Sequence, residues 1–270
     1  MIVTGATEEV TNDSALLQDA FNKMGNGGKL IITEGRYKID QTVTGILVSN
    51  ADARIEIEGR GNVVLIPTRK MTSISVKSDT PGVYKGYITI KGIEIDGSQA
   101  GTYYDESSGG MGISVVDTKA VTIEGNHIHD LYGGGISVKK IETPPIVKNN
   151  KIINVWGLNP DPDTGGAVDN YGDGVYLSYV KQAKVEHNHI YNDLNVTNNY
   201  GRAGIVFEYD TEQCIARYNR IHGYDRNIHI ESSKGNHEIQ CNKLTGSDLG
   251  IFASYNTASI YMIYMEAVYP

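Results

Sequence analysis

Apolar and polar residues alternate with period two in short runs along this chain, and the runs themselves recur. One family of runs is centred on an asparagine: Val121-Thr-Ile-Glu-Gly-Asn126-His-Ile128, Ile146-Val-Lys-Asn-Asn150-Lys-Ile152, Lys184-Val-Glu-His-Asn188-His-Ile190, Ile215-Ala-Arg-Tyr-Asn219-Arg-Ile221 and Glu238-Ile-Gln-Cys-Asn242-Lys-Leu244. Three residues before each Asn stand Ile123, Val147, Val185, Ala216 and Ile239; two after stand Ile128, Ile152, Ile190, Ile221 and Leu244. A second family of strands lies between these, headed by Ile46, Ile74, Ile113, Ile136, Val175, Ile205, Ile228 and Ile251, each with a further residue of inward type two positions on. The heads are spaced by 28, 39, 23, 39, 30, 23 and 23 residues, a basic period of 23 lengthened by insertions. Period two nested in such a repeat predicts a coil of three short strands per turn, with equivalent positions stacked in columns about 4.8 Å apart. A β-sandwich with Asn-rich turns would need hairpins and would leave no fixed column.

The asparagines themselves are expected at a sharp corner, each in the left-handed conformation and each bonding through its amide to the next turn. Before the coil, Asn12–Met24 reads as an amphipathic helix with Asn12 and Asp13 as cap candidates, its Leu16, Leu17, Ala20, Phe21 and Met24 covering the open end of the core. It is followed by Gly27-Gly-Lys-Leu-Ile-Ile-Thr-Glu-Gly35-Arg-Tyr-Lys-Ile39. On these features the chain resembles the right-handed parallel β-helix proteins of the pectate-lyase-like superfamily, and its entry resembles that of bacteriophage tailspikes and related polysaccharide depolymerases. The resemblance implies an all-β, right-handed, single-stranded parallel β-helix with a short N-terminal capping α-helix. The segments expected are 1–40 as capping helix and entry strands, 41–258 as the β-helix, and 259–270 as a last strand or cap. An open coil end exposes unpaired strand groups, so either the chain is a fragment or a partner covers that end, a homotrimer as in tailspikes being one such arrangement.

Composition sharpens this picture. Ile 31 and Val 21 against Leu 11 is the balance of strands, and Gly 31 with Pro 7 assigns many turns to Gly and Asn. Tyr 18 against Phe 3 favours aromatics that can stand in water. A net charge of −8 argues against nucleic acid held on a basic face. No run approaches about 18 apolar residues, so no membrane span is expected. The start Met1-Ile-Val-Thr-Gly lacks the pattern of a signal peptide, although the resemblance implies an extracellular or virion-associated setting.

Candidate chemistry gathers on the head strands and the insertions beside them. Residues 98–110, 157–173 and 193–203 all leave the coil along one edge, carrying Tyr103, Tyr104, Asp105, Glu106, Asp161, Asp163, Asp169, Tyr171, Tyr200 and Arg202. Tyrosine faces and carboxylates side by side suit sugar rings. Outward positions of the head strands read Leu47, Ser75, Ser114, Ser137, Tyr176, Val206, His229, Phe252 in one column and Ser49, Lys77, Val116, Lys139, Ser178, Glu208, Glu231, Ser254 in the next. Glu208 and Glu231 thus fall at one position on adjacent turns. Two carboxylates stacked without a cation repel, one pKa should rise, and that split is what an acid paired with a nucleophile or base requires. A surface ladder neutralised by Lys139, Arg202 or Arg226 is the competing reading. Asp173, at the end of the longest insertion, is the third catalytic candidate; Tyr176, His229, Arg202, Arg226 and Lys139 are the substrate-binding candidates, an arginine being able to clamp an acidic sugar.

His127, His129 and Asp130 form His-x-His-Asp, a spacing that invites a metal reading. They lie on the Asn-side strand, away from the insertions, and are read as polar coil residues, as are His187 and His189; no metal or cofactor is expected. Cys214 and Cys241 fall about 13 Å apart in this register, too far for a disulfide. The Arg-x-Pro-x-x-Arg and Trp-x-Asp-His of pectate lyases, the Gly-His-Gly and Arg-Ile-Lys of polygalacturonases and the Asp-Pro-His-Glu of mannuronan epimerases are all missing from the sequence. What the resemblance to tailspikes implies is an endo-acting hydrolase of a bacterial surface glycan. Elimination or epimerisation at a uronic acid, with Tyr176, His229 or Lys139 moving the proton, is the alternative, and a non-catalytic carbohydrate-binding or structural coil the second.

Overall fold

The computed structural model describes residues 1–4, 12–100, 110–158, 172–193, 199–256, 260–263 and 266–267. The period-two runs become strands because each places β-branched residues alternately inward and outward. Eight of them, Ile46–Val48, Ile74–Ser78, Met111–Thr118, Gly134–Ile141, Asp173–Ser178, Ala203–Glu208, Arg226–Glu231 and Leu249–Ser254, form one continuous parallel sheet. These are the predicted heads. A second column runs before the Asn corner and a third after it; typical pairs are Val147↔Val185 and Ile152↔Ile190, again parallel. The long strands Gly28–Ile39 and Arg54–Pro67 pair along both columns, with a bulge between Thr33 and Gly35 that turns the corner. Since Gly28–Ile39 is paired to the next turn along its length, the coil already starts within the segment read as entry strands.

The register holds Ile74, Ile113, Ile136, Val175, Ile205, Ile228 and Ile251 in one row. The first head departs from it: Ile46 pairs with Val76 and Leu47 with Lys77. A slip of two residues preserves which side chains face inward, so hydrophobic alternation is blind to it. Ile46 and Val48 are buried all the same.

At the corner the expectation for Asn is half right. The left-handed residues are those one before it: Gly125, Asn149, His187, Tyr218 and Cys241, with φ of 64°, 56°, 56°, 58° and 49°. Each Asn instead turns its side chain into the coil and is buried. The amide of Asn150 donates through Nδ2 to Asn188 Oδ1 at 3.0 Å and to Ile123 O at 3.0 Å, while its backbone N–H also donates to Asn188 Oδ1 at 3.0 Å. The same three bonds recur from Asn126 to Asn150, Asn188 to Asn219 and Asn219 to Asn242.

The helix runs Ser14–Met24 and buries Leu17, Ala20, Phe21 and Met24, as expected; Leu16 is exposed on its outer side. Asp13 sits at the N-cap, where its carbonyl accepts from Leu17 N, but its carboxylate accepts from Lys38 N rather than from the helix and so fastens the helix to the first long strand. Asn12 Oδ1 takes the capping role, accepting from Ser14 N at 2.8 Å. Burial raises the Asp13 pKa above its ordinary value. At the other end, Ile260–Ile263 and Glu266–Ala267 pair in parallel with His237–Gln240 and Lys243–Thr245, which continues the coil by part of another turn. Cys214 is buried and Cys241 exposed, both free. Among the described residues no helix is long and apolar enough to cross a membrane.

Candidate active site

The outer face of the head sheet carries the site. Of the insertions, Tyr103, Tyr104, Asp105, Glu106, Asp161, Asp163, Asp169 and Tyr171 lie outside the described residues. The bases of two insertions meet: Gly157 pairs with Tyr200 and Leu158 with Asn199 in an antiparallel ribbon. Below it, register brings Asp173 beside Ala203, Tyr176 beside Val206, Val206 beside His229, and Glu208 beside Glu231. The Glu208–Glu231 stack is therefore as predicted.

Arg202 and Asp173 form a bidentate pair, Nε to Oδ1 at 2.9 Å and Nη2 to Oδ2 at 2.6 Å, with side chains only 4% and 5% exposed. Arg202 also places Nη1 3.5 Å from Glu208 Oε1. Its guanidinium is thus engaged by two carboxylates of the protein, Asp173 and Glu208. A planar fork that matches one carboxylate has little left for a sugar's. His229 is likewise 1% exposed. Arg226 Nη1, which can only donate, faces His229 Nδ1 at 3.3 Å, so the ring proton sits on Nε2, 3.1 Å from Glu231 Oε2. Ser254 Oγ donates to Glu231 Oε1 at 3.0 Å. His229 and Ser254 therefore both bond Glu231; Ser254, three residues past Ile251, was legible as a column position but not as a partner.

The two carboxylates differ in environment. Glu208 is nearly enclosed, its side chain 6% exposed, and bonded to the Tyr176 hydroxyl; Glu231 is 28% exposed. Burial is the main reason the Glu208 pKa is raised, opposed by Arg202 and Tyr176, with Asp173 and Glu231 adding smaller upward pushes. The rise expected from carboxylate repulsion is present, but desolvation causes most of it, and a cation does stand beside the pair. One oxygen from each carboxylate and one His229 nitrogen lie within 4.8 Å of one another. Around them, Lys139 Nζ stands 5.0 Å over the Tyr176 ring and Arg226 Cζ 4.3 Å over Phe252. Burial lowers the Lys139 pKa and, with help from Glu208, raises that of Tyr176. Lys139, Tyr176, Arg226 and Glu231 are half-buried and border the site.

A buried Ser233–His237 pair elsewhere is structural. Cys214 N donates to His237 Nδ1 at 3.0 Å, so Nε2 donates to Ser233 Oγ at 2.8 Å and cannot accept its proton. Burial holds His237 down at about 4.

The family model for the right-handed beta helix region matches residues 21–263. The chain belongs to that family. No curated protein matches it. Among solved structures, this β-helix is similar to the A-module of the Azotobacter vinelandii mannuronan C-5 epimerase AlgE6, at 12% identity and a TM-score of 0.33, covering 88% of this chain and 72% of that one. It is also similar to the A-module of AlgE4 from the same organism, at 9% identity and a TM-score of 0.28, covering 93% and 96% respectively.

Proposed function

We propose that this β-helix is a polysaccharide-active enzyme that cleaves glycosidic bonds of a bacterial surface glycan by hydrolysis, with Glu208 as acid and Glu231 as nucleophile. The supporting observation is the pair itself: a buried carboxyl with raised proton affinity, one oxygen within 4.8 Å of a neighbour on a partly open carboxylate. Glu208 gives its proton to the glycosidic oxygen as the C–O bond breaks, and Glu231 forms a bond to the anomeric carbon. Water then displaces Glu231, returning a proton to Glu208. This retaining course requires carboxyl groups about 5–5.5 Å apart, against about 6.5–9.5 Å for an inverting pair that admits water between them. The Arg202–Asp173 pair and Tyr176 fix Glu208; His229 and Ser254 fix Glu231.

The test is reducing-end release on a panel of capsular and O-antigen polysaccharides. Glu208→Gln and Glu231→Gln should each lower turnover by at least about 10² with the fold intact, as proton transfer alone contributes about 10²–10⁴. Activity that survives both substitutions overturns the assignment. One observation favours a second reading. The Lys139 amine is pushed down by burial beside Tyr176, and Arg226 stands free of any carboxylate pair among the described residues. The Lys139 amine could abstract a proton next to a uronate held by Arg226, giving elimination or epimerisation. Absorbance from an unsaturated uronate, or a changed uronate composition without cleavage, would favour that reading over hydrolysis.

A further inference from the structure

On a different sheet from Glu208 and Glu231, the strands Glu94–Asp96 and His127–Tyr132 lie side by side, with Glu94 paired to His127 and Asp96 to His129. The column that the sequence hides is Glu94: it precedes Ile95 as His127 precedes Ile128, so the repeat itself stacks carboxylate on imidazole. Glu94 then faces both rings, Oε2 3.5 Å from His127 Nδ1 and Oε1 3.4 Å from His129 Nε2. One atom from each of the three residues falls within 4.8 Å of the others. The two rings lie 4.6 Å apart, tilted by 30°.

We propose that Glu94, His127 and His129 form a binding site for a divalent transition ion of the zinc type, joining two adjacent turns of the coil. Three observations carry this. First, His129 Nδ1 lies 2.8 Å from Asp130 Oδ2; a carboxylate can only accept, so Nδ1 holds a proton. On the opposite side of the ring Nε2 faces Glu94 Oε1 at 3.4 Å, where an ion bound between them would take the Nε2 lone pair. Second, the separations of 3.4 and 3.5 Å, one from each Glu94 oxygen, are long for hydrogen bonds and leave an ion room between the carboxylate and the two rings. Third, an outer shell is built. Asp130 holds its left-handed backbone, φ 55°, which returns its carboxylate to the neighbouring ring, and its Oδ1 accepts from Asn154 Nδ2 at 3.1 Å. Asn154 Oδ1 in turn accepts from Asp193 N at 3.0 Å. Carboxylate–histidine–metal chains of this kind fix ring orientation in known metal sites.

The three side chains are 17–32% exposed, so the open position faces water and an ion has a path in. Two nitrogens and a carboxylate select zinc-like ions over calcium or magnesium, which favour all-oxygen sets. Asp96 bonds Arg36 at 3.3 Å and also lies within 4.8 Å of His129 and Asp130, a second carboxylate beside the three ligands named, while Lys151 stands on the far side of His127 in register.

The experiment titrates the untagged, chelator-stripped chain with zinc chloride by calorimetry and with cobalt(II) by absorbance. The expected result is one equivalent bound at micromolar affinity or better, cobalt bands of a four-coordinate N/O site, and a melting temperature that rises with zinc but not with calcium or magnesium. His127→Gln and His129→Gln should each weaken binding at least about tenfold, while Glu208→Gln leaves it unchanged. Absence of saturable binding by the wild-type chain up to about 100 µM zinc overturns the proposal. So does saturable binding that persists in the double His127→Gln/His129→Gln variant, which would place the ion on other histidines.

Discussion

Two columns of this β-helix stack like on like, and they behave oppositely. At the corner, asparagines on successive turns bond to one another without strain because an amide both donates and accepts; Asn188 takes two bonds on Oδ1 from Asn150 and gives two from Nδ2. On the head sheet, Glu208 stacks on Glu231 and neither can donate when ionised, so each recruits its own donors: Tyr176 and Arg202 for one, His229 and Ser254 for the other. A self-complementary column is a device of stability. A column that is not self-complementary stores electrostatic tension, which chemistry can use.

The sharpest way to break the second column is to remove its cation. Arg202→Met would leave Asp173 and Glu208 buried with no guanidinium between them. Losing one partner of a buried pair typically costs about 3–5 kcal/mol, which urea denaturation would read as a lowered midpoint. Arg202→Met combined with Asp173→Asn should recover much of that loss. A single variant as stable as wild type would mean that the pair is dispensable.

The first column breaks more gently. Asn188→Ala would strip Asn150 N, Asn150 Nδ2 and Val147 O of bonds inside the coil, a loss of about 1–3 kcal/mol. Because Asn126, Asn150, Asn188 and Asn219 make the same set of bonds, Asn150→Ala should cost about the same. No measurable change in denaturation would remove the ladder as a source of stability.

The contrast also explains what could be read from sequence. The coil, the head register from Ile74 onward and the Asn column were all legible, since each is a periodic property and a missed period is costly for many residues at once. The two-residue slip at Ile46 was not, because parity is all that alternation encodes. The partners of the carboxylates were only partly legible. Glu208 and Glu231 follow from position in a strand, whereas the commitment of Arg202 to Asp173 depends on which rotamer a long side chain takes at the end of an insertion. The left-handed corner residue escaped for a related reason: Asn149, His187, Tyr218 and Cys241 share no side-chain chemistry, and only the backbone demands their conformation.

The smallest effect expected concerns pH and isolates the tension at Glu208. Burial raises its pKa above the value in the unfolded chain. Between those two values the folded protein binds more protons than the unfolded one, so stability falls as pH rises through the window. Glu208→Gln carries no such proton, and its stability should not share that fall. Urea midpoints of both proteins measured from about pH 4 to about pH 7 should therefore converge or cross, the glutamine variant gaining on wild type as pH increases, by at most about 1.4 kcal/mol for each pKa unit of the shift. Parallel curves for wild type and Glu208→Gln would mean that Arg202 and Tyr176 fully offset the burial, leaving no reserve of proton affinity for an acid in the site.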